Sequence, residues 1–166
     1  MLATSDLLAA MPAVTLVGES SSESLRGYAG NDMLLGQAAD DVLEGGAGSD
    51  LLDGGSGNDT VRGGDGTDWL NGGGGIDQLH GGSGVDTYVF GAGSGQVTIV
   101  ESTGEQSVLT LAAGASALSL RPVREGGDLL LSMDNGGDVL RIAGYYDDAE
   151  SGSNWQVQSA DGTIST

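Results

Sequence analysis

The sequence contains no cysteine and no lysine, and only one phenylalanine and two prolines among its 166 residues. Without cysteine there can be no disulfide bond, no thiolate metal ligand and no cysteine nucleophile. No apolar run approaches the ~18 residues that a transmembrane helix needs, so none is expected. No basic residue precedes the apolar stretch Leu7–Met11, and we therefore expect any export to use a signal other than an N-terminal secretory peptide.

The charge of the chain is strongly one-sided. It has 24 acidic residues, five arginines, a formal net charge of −19 and 32 glycines. Such a surface repels a phosphate backbone, which excludes a nucleic-acid-binding function. A chain this acidic and glycine-rich ordinarily stays disordered, because it buries too little apolar surface to offset its conformational entropy. If it folds, an ion or a partner must neutralise the acids.

A nine-residue repeat fills the first half of the sequence. Eight consecutive frames begin at Gly18, Gly27, Gly36, Gly45, Gly54, Gly63, Gly72 and Gly81. Position one is always glycine, position six is aspartate in seven frames and Glu23 in the other, and position eight is always apolar. This pattern, GGxGxDxUx, resembles the calcium-binding nonapeptide repeat of the RTX family. The resemblance implies an all-β protein built on a right-handed parallel β-roll.

Physical chemistry accounts for the pattern. Glycine suits sharp turns with positive φ whose carbonyl groups face a shared centre. Positions seven to nine are expected to form a short strand, in which position eight points inward and its neighbours point to solvent. If two repeats make one coil, the inward residues form two rows, one with Leu25, Leu43, Val61 and Leu79 and one with Leu34, Leu52, Leu70 and Tyr88. One buried apolar side chain contributes ~1.5–3 kcal/mol, whereas ordering each residue costs ~1 kcal/mol or more, so burial alone is insufficient.

The acids supply the missing stabilisation if they bind a cation. An 18-residue coil stacks them in two rows, Asp41, Asp59 and Asp77 on one edge and Asp32, Asp50, Asp68 and Asp86 on the other. Calcium fits these rows because it accepts six to eight oxygen ligands, both carboxylate and backbone carbonyl.

The RTX resemblance implies about five Ca2+ ions, each held between two successive coils. The earlier coil would supply the carbonyls of positions two and four and its aspartate, and the later coil would supply the carbonyls of positions one and three and its aspartate. On one edge, the predicted sites are Tyr28, Gly30, Asp32, Gly45, Ala47 and Asp50; Gly46, Gly48, Asp50, Gly63, Asp65 and Asp68; and Gly64, Gly66, Asp68, Gly81, Ser83 and Asp86. On the other edge they are Gln37, Ala39, Asp41, Gly54, Ser56 and Asp59; and Gly55, Gly57, Asp59, Gly72, Gly74 and Asp77. A sixth pairing, Glu23 with Asp41, departs from the family pattern and is expected to stay empty.

The chain divides into an N-terminal flank, 1–17, the roll, 18–89, and a β-rich capping segment, 90–166. Alternating apolar residues in the last part predict strands at Val97–Val100, Val108–Leu111, Leu129–Leu131, Val139–Ile142 and Trp155–Val157, with turns at Gly126–Gly127 and Asn135–Gly137. This part resembles the segment that follows the roll in RTX exoproteins, and we expect it to cover the open end of the roll. Residues Leu7–Val17 are expected to cap the other end, with a helical turn after Ser5–Asp6 and a strand through Val14–Val17.

Two functions follow. The first is a calcium-gated folding module, disordered at low calcium, that belongs to a larger secreted bacterial protein exported by type I secretion machinery, as RTX proteins commonly are. The second is a recognition module of an adhesin type, in which exposed Met33, Leu35, Leu51 and Trp69 bind a surface, glycan or protein, although these residues could instead pack against the cap. His80 has no second histidine or cysteine to complete a zinc or catalytic set. With no nucleophile–base pair visible, we predict that the chain is not an enzyme.

Overall fold

The computed structural model describes residues 12–101, 106–112, 120–134, 136–147, 155–159 and 162–165. Within these ranges the regular structure is entirely β, and there is no helix with the length and apolar character required to cross a bilayer. The predicted helical turn after Ser5–Asp6 lies outside the described residues. The all-β prediction is therefore confirmed for the described part of the chain.

Sixteen strands follow one another among the described residues. They are β1 (Thr15–Val17), β2 (Ser24–Ala29), β3 (Met33–Leu35), β4 (Val42–Ala47), β5 (Leu51–Ser56), β6 (Thr60–Asp65), β7 (Trp69–Gly74), β8 (Ile76–Ser83), β9 (Thr87–Phe90), β10 (Gln96–Val100), β11 (Ser107–Leu111), β12 (Leu120–Glu125), β13 (Asp128–Met133), β14 (Val139–Ile142), β15 (Trp155–Ser159) and β16 (Gly162–Ser165).

Successive strands of the repeat alternate between two sheets. Sheet A has the order β1-β3-β5-β7-β9-β11-β15-β16, and sheet B has the order β2-β4-β6-β8-β10-β14-β13-β12. All pairs from β1 to β11 are parallel, with partners 18 residues apart inside the repeat, for example Leu52 with Leu70. This arrangement is a parallel β-solenoid in which two nonapeptides make one coil, as the periodicity predicts.

The inward rows have the predicted membership and register. Leu25 pairs with Leu43 in sheet B, and Leu34 pairs with Leu52 in sheet A, and each row then continues through the predicted residues. Every position-eight side chain from Leu34 to Tyr88 has zero exposed surface. Leu25 is only half-buried, because it lies in the edge strand of sheet B.

Two expectations about the repeat need correction. The strands β4 to β7 span six residues each and not three, because the glycine turns also pair with the next coil, as Gly46 does with Gly64. Met33 is exposed, but Leu35, Leu51 and Trp69 are half-buried. Each of the three lies beside residues of the neighbouring strands of sheet A, as Leu51 does between Met33 and Trp69.

Both sheets continue past the last repeat. β10 and β11 add a further parallel strand to each sheet, and β14 and β15 pair with them. The five strands predicted in this segment are confirmed, with ends shifted by at most two residues. β12 and β16 were not predicted, and both pair antiparallel at the outer edge of their sheets. The core is continuous from Leu34 to Trp155, whose ring centroid lies 5.6 Å from that of Tyr88.

Candidate metal centre

The turns of the roll carry positive φ angles at repeat positions two and four. Gly46 and Gly48 have φ of 116° and 132°, and the same conformation recurs in the following coils. Tyr28, Gln37 and Ala39 adopt it as well, although each has a Cβ. Such a conformation is strained in a residue with a side chain, so contact with the next coil must hold these three in place.

Backbone carbonyls of adjacent coils face each other across the gap between them. The carbonyls of positions two and four point forward, since those of Tyr28 and Gly30 would overlap a Cβ added to Gly46 or Gly48. The carbonyls of position three point back, and the one on Ala47 accepts a hydrogen bond from Gly30 N–H at 2.8 Å. A carbonyl oxygen with one hydrogen bond retains a second lone pair. The gap is therefore lined by acceptor oxygens from both sides.

The position-six aspartates line the same gap and are almost completely buried. Asp32, Asp41, Asp50, Asp59, Asp68, Asp77 and Asp86 are 0–3% exposed. In each row, the Oδ1 atom of one aspartate accepts the backbone N–H of the aspartate one coil earlier, as in Asp32 N to Asp50 Oδ1 at 2.7 Å. One oxygen of each carboxylate thus fixes the side chain against its neighbouring coil.

The second carboxylate oxygen points at the glycine of position one. A Cβ on Gly54 would stand 2.5 Å from Asp59 Oδ2 and 2.6 Å from the Gly72 carbonyl oxygen of the next coil. Within the described residues, the Oδ2 atoms of Asp32, Asp41, Asp50, Asp59, Asp68 and Asp77 are buried and accept no hydrogen bond. A buried carboxylate oxygen without a partner is costly. A cation between the coils would satisfy these oxygens.

Burial also shifts the proton affinity of the aspartates. It raises the pKa of Asp50 and Asp59 above the ordinary range, and neighbouring carboxylates of the row add to the effect. Burial, with repulsion from Asp86 and Asp50, raises the pKa of Asp68 to about 7, and burial with repulsion from Asp59 raises that of Asp77 to about 6. Without a cation, the folded roll therefore holds its own negative charges at a cost.

The donor set has a clear chemical preference. Among the described residues no three His, Cys, Asp or Glu side chains cluster as a metal site would require, so carboxylates can supply only part of a coordination shell. Backbone carbonyls must supply the rest. An all-oxygen shell that mixes carbonyls with one or two carboxylates fits calcium and does not fit zinc or copper.

Residues 26–61 and 62–97 match the family profile of the RTX calcium-binding nonapeptide repeat, with four copies in the profile. Residues 26–97 are therefore an array of RTX calcium-binding nonapeptide repeats. The match covers less than half of the chain and ends at residue 97, so most of the capping segment lies outside it. No curated protein matches the sequence closely enough to count as a relative.

Several solved structures align with the fold, and two of them are the following. The extracellular lipase LipA from Serratia marcescens aligns at 14% identity and a TM-score of 0.35, over 80% of this chain and 36% of the lipase. The AlgE6R3 subunit of the Azotobacter vinelandii mannuronan C5-epimerase aligns at 24% identity and a TM-score of 0.37, over 84% of this chain and 80% of that chain. The chain thus spans about a third of the lipase.

The roll places the predicted ligand groups of each of the five sites along one gap between two coils. At each gap, the position-one carbonyl of the later coil meets the Oδ2 atom of the earlier aspartate, beginning with Gly45 and Asp32 and ending with Gly81 and Asp68. The position-three carbonyls of Ala47, Ser56, Asp65, Gly74 and Ser83 all point back to the earlier coil. The occupancy of these sites by calcium stays a prediction.

The sixth pairing differs in its surroundings. As in the other coils, a position-one carbonyl and a position-six carboxylate oxygen lie beside the glycine. A Cβ on Gly18 would stand 2.5 Å from the Gly36 carbonyl oxygen and 2.6 Å from Glu23 Oε2. However, Glu23 already accepts hydrogen bonds from Ser21 Oγ at 2.5 Å and from Glu19 N–H at 3.0 Å. Local donors thus satisfy this carboxylate, and that the site stays empty remains a prediction.

Other residues singled out in the sequence take no part in the gaps. His80 is half-buried on the outer face of sheet B, where burial and the neighbouring Arg62 lower its pKa. Trp69 lies between Leu51 and Thr87 on the outer face of sheet A.

Two acids that matter were missed. Glu101 accepts hydrogen bonds from the Tyr88 and Ser107 hydroxyls. Asp138 accepts hydrogen bonds from Gly93 N–H at 2.9 Å and from Gly95 N–H at 2.7 Å. Neither acid occupies position six of a nonapeptide, so periodicity could not find them.

Proposed function

We propose that this RTX module is a calcium-gated folding unit, expanded at low calcium and folded into the roll when calcium fills the gaps between coils. The observation that carries the proposal is the burial of six position-six aspartates whose Oδ2 atoms accept no hydrogen bond within the described residues: Asp32, Asp41, Asp50, Asp59, Asp68 and Asp77. The raised pKa values of Asp68 and Asp77 support it, because they reflect the cost of burying these charges without a cation.

The residues that would hold calcium are the aspartates and the facing carbonyls of each gap. Calcium would supply positive charge that neutralises a row and joins two coils. A ligand that binds only the folded state stabilises it by RT ln(1 + [L]/Kd), so at tenfold excess each site adds ~1.4 kcal/mol and five sites add ~7 kcal/mol. That sum equals the whole stability of a typical domain, so calcium can decide whether the chain folds.

The test is a calcium titration of the chain, followed by far-UV circular dichroism with magnesium as the control ion. We expect a cooperative gain of β signal with calcium and none with magnesium, because magnesium requires a rigid octahedral shell. A β signal already complete in chelator, or an equal response to magnesium, would contradict the gating proposal.

We further infer that the module is a non-catalytic part of a larger bacterial exoprotein, exported unfolded by type I secretion and folded outside the cell. The support is the RTX repeat itself and a net charge of −19 that keeps the ion-free chain expanded. The test is export of the module from a bacterium with a type I system. A roll locked into its folded state before export should remain in the cell, and export of a folded roll would refute this inference.

A second function, recognition, is favoured by one observation. Met33, Leu51 and Trp69 pair in register across β3, β5 and β7 and form an apolar stripe on the outer face of sheet A. The residues at the same repeat position on the outer face of sheet B are more polar and include Thr60 and Gln78. If the stripe binds a glycan or protein surface, Trp69→Ser should abolish retention on immobilised polysaccharides or cell surfaces and leave the calcium titration unchanged. Gln78→Ser, at the same repeat position on the other sheet, is the matched control.

A further inference from the structure

The aspartate row of sheet A continues into the capping segment as a serine. Val108 N–H donates to the Asp86 carbonyl at 2.8 Å, just as Thr87 N–H donates to the Asp68 carbonyl at 2.8 Å. Ser107, which precedes Val108, therefore stands one coil beyond Asp86 at the place of a position-six aspartate. It is 1% exposed. The first coil after the repeats thus has no carboxylate at this position.

The position-one glycines Gly27, Gly45, Gly63 and Gly81 lie in successive strands of sheet B, and the next residue in this row is Glu101. Val100 pairs with His80 at the end of β10, so Glu101 follows in the place next to Gly81, the position-one glycine of the last repeat. Inside the repeats no side chain fits there, because the carboxylate of the same repeat fills the space, as Asp86 Oδ2 does at Gly81. A glutamate fits only where the aspartate of its own coil is absent.

These two exceptions compensate each other. The Glu101 carboxylate reaches across the space from the glycine side, and its Oε1 atom accepts the Ser107 hydroxyl at 2.7 Å. Its other oxygen accepts the hydroxyl of the buried Tyr88. Each oxygen of Glu101 thus has a hydroxyl donor, whereas the Oδ2 atom of Asp50 or Asp68 accepts no hydrogen bond from the described residues.

We propose that Glu101 and Ser107 exchange the roles of the repeat's glycine and aspartate, and that this exchanged pair ends the calcium ladder with a carboxylate held by hydroxyl groups instead of an ion. The inference rests on the proposed calcium function. Glu101 is then a positioning residue that closes the row without being a calcium ligand. The last ion on this edge lies between Asp68 and Asp86.

The first experiment counts calcium ions by equilibrium dialysis of the full chain, for the wild type, Glu101→Gln and Ser107→Ala. We expect all three to bind the same number of ions. The thermal midpoint in saturating calcium should fall by ~5 °C in both variants, because each loses a buried hydrogen bond of the carboxylate. Loss of one ion in Glu101→Gln, or no thermal shift in either variant, would overturn the proposal.

The second experiment reverses the exchange. Ser107→Asp alone places a second carboxylate against Glu101, and we expect a fall of the thermal midpoint of ~10 °C or more from like-charge repulsion and crowding. Adding Glu101→Gly restores the glycine–aspartate arrangement of the repeats and should recover at least half of that loss. A double variant no more stable than Ser107→Asp would show that the two positions are not an exchanged pair.

The wild-type ion count separates the two levels of inference. If the wild type binds no calcium, the proposed function fails. The thermal coupling between positions 101 and 107 then still decides whether they form an exchanged pair, since the hydrogen bonds of Glu101 involve no ion.

Discussion

Replacing Asp50 with asparagine is expected to remove two calcium ions, whereas the same change at Asp77 removes one. Asp50 Oδ1 faces the coil of Asp32, and its Oδ2 shares the space at Gly45 with the carbonyl of Gly63 in the following coil. Asp50 therefore borders two gaps. Asp77 is the last aspartate of its row, and its Oδ1 accepts Asp59 N–H, so among the predicted sites it borders only the gap to Asp59.

Asparagine is a conservative probe of these sites. It keeps the Oδ1 acceptor that receives Asp32 N–H at 2.7 Å, and it replaces the charged Oδ2 atom by an amide that cannot bind a cation. At calcium tenfold above its dissociation constant, two lost sites cost ~2.8 kcal/mol and one lost site costs ~1.4 kcal/mol. Urea unfolding at fixed free calcium, followed by circular dichroism, measures both losses.

The sign should reverse in chelator. Burial raises the pKa of Asp50, so the charged form is unfavourable in the ion-free roll, and an uncharged asparagine should increase the residual β signal. Equal losses of stability for Asp50→Asn and Asp77→Asn in calcium would refute the assignment of Asp50 to two gaps. A weaker β signal of Asp50→Asn in chelator would refute the electrostatic argument.

Three further results are expected. The first concerns pH in the presence of chelator. Because the pKa of Asp68 is raised to about 7 in the fold, protonation favours the roll, and the β signal should be greatest near pH 4 and should be lost as the pH rises through 7. A gain of β signal with rising pH would contradict this. Gly66→Ala should lower the free energy of unfolding in calcium, measured with urea, by more than ~1 kcal/mol, because Gly66 has a φ of 141° and a Cβ there would overlap the Gly48 carbonyl. Gly137→Ala is the control and should not change urea unfolding, because no atom lies near the position of its Cβ. Ala39→Gly should raise the stability measured in the same way by ~1 kcal/mol, because Ala39 has a φ of 81°; no gain would mean that the turn is unstrained.

The repeat could be predicted to the level of single residue pairs because its period fixes the register. Once two nonapeptides make one coil, Leu34 must lie beside Leu52 and Asp32 beside Asp50, and both pairs are found. The candidate ligand carbonyls came from the resemblance to RTX repeats and not from the period. The strand lengths did not, because glycine has low β propensity and only the pairing with the next coil extends the strands.

Beyond the last repeat the period changes, and so does what could be predicted. Val97 pairs with Asp77, 20 residues earlier, so the 18-residue spacing no longer applies. Simple alternation still indicated the inward strands, but not β12, whose residues are mostly exposed and include Pro122. The pairing of Glu101 with Ser107 depends on two sheets meeting across this irregular coil, and no local pattern encodes it.

Because successive nonapeptides alternate between sheets A and B, the relative orientation of the two ends of the roll depends on whether the number of repeats between them is even or odd. Two nonapeptides add one strand to each sheet and lengthen the roll by ~4.8 Å, and they leave the two ends of the roll in the same rotational relation. One nonapeptide adds a half-turn instead, so every strand before it changes sheet relative to every strand after it. Variants of this roll with an even number of added repeats would keep Met33, Leu51 and Trp69 on the same side as β11, whereas an odd insertion after Trp69 would turn that stripe to the opposite side. The roll is thus a spacer that sets distance in steps of a coil and direction in steps of half a turn.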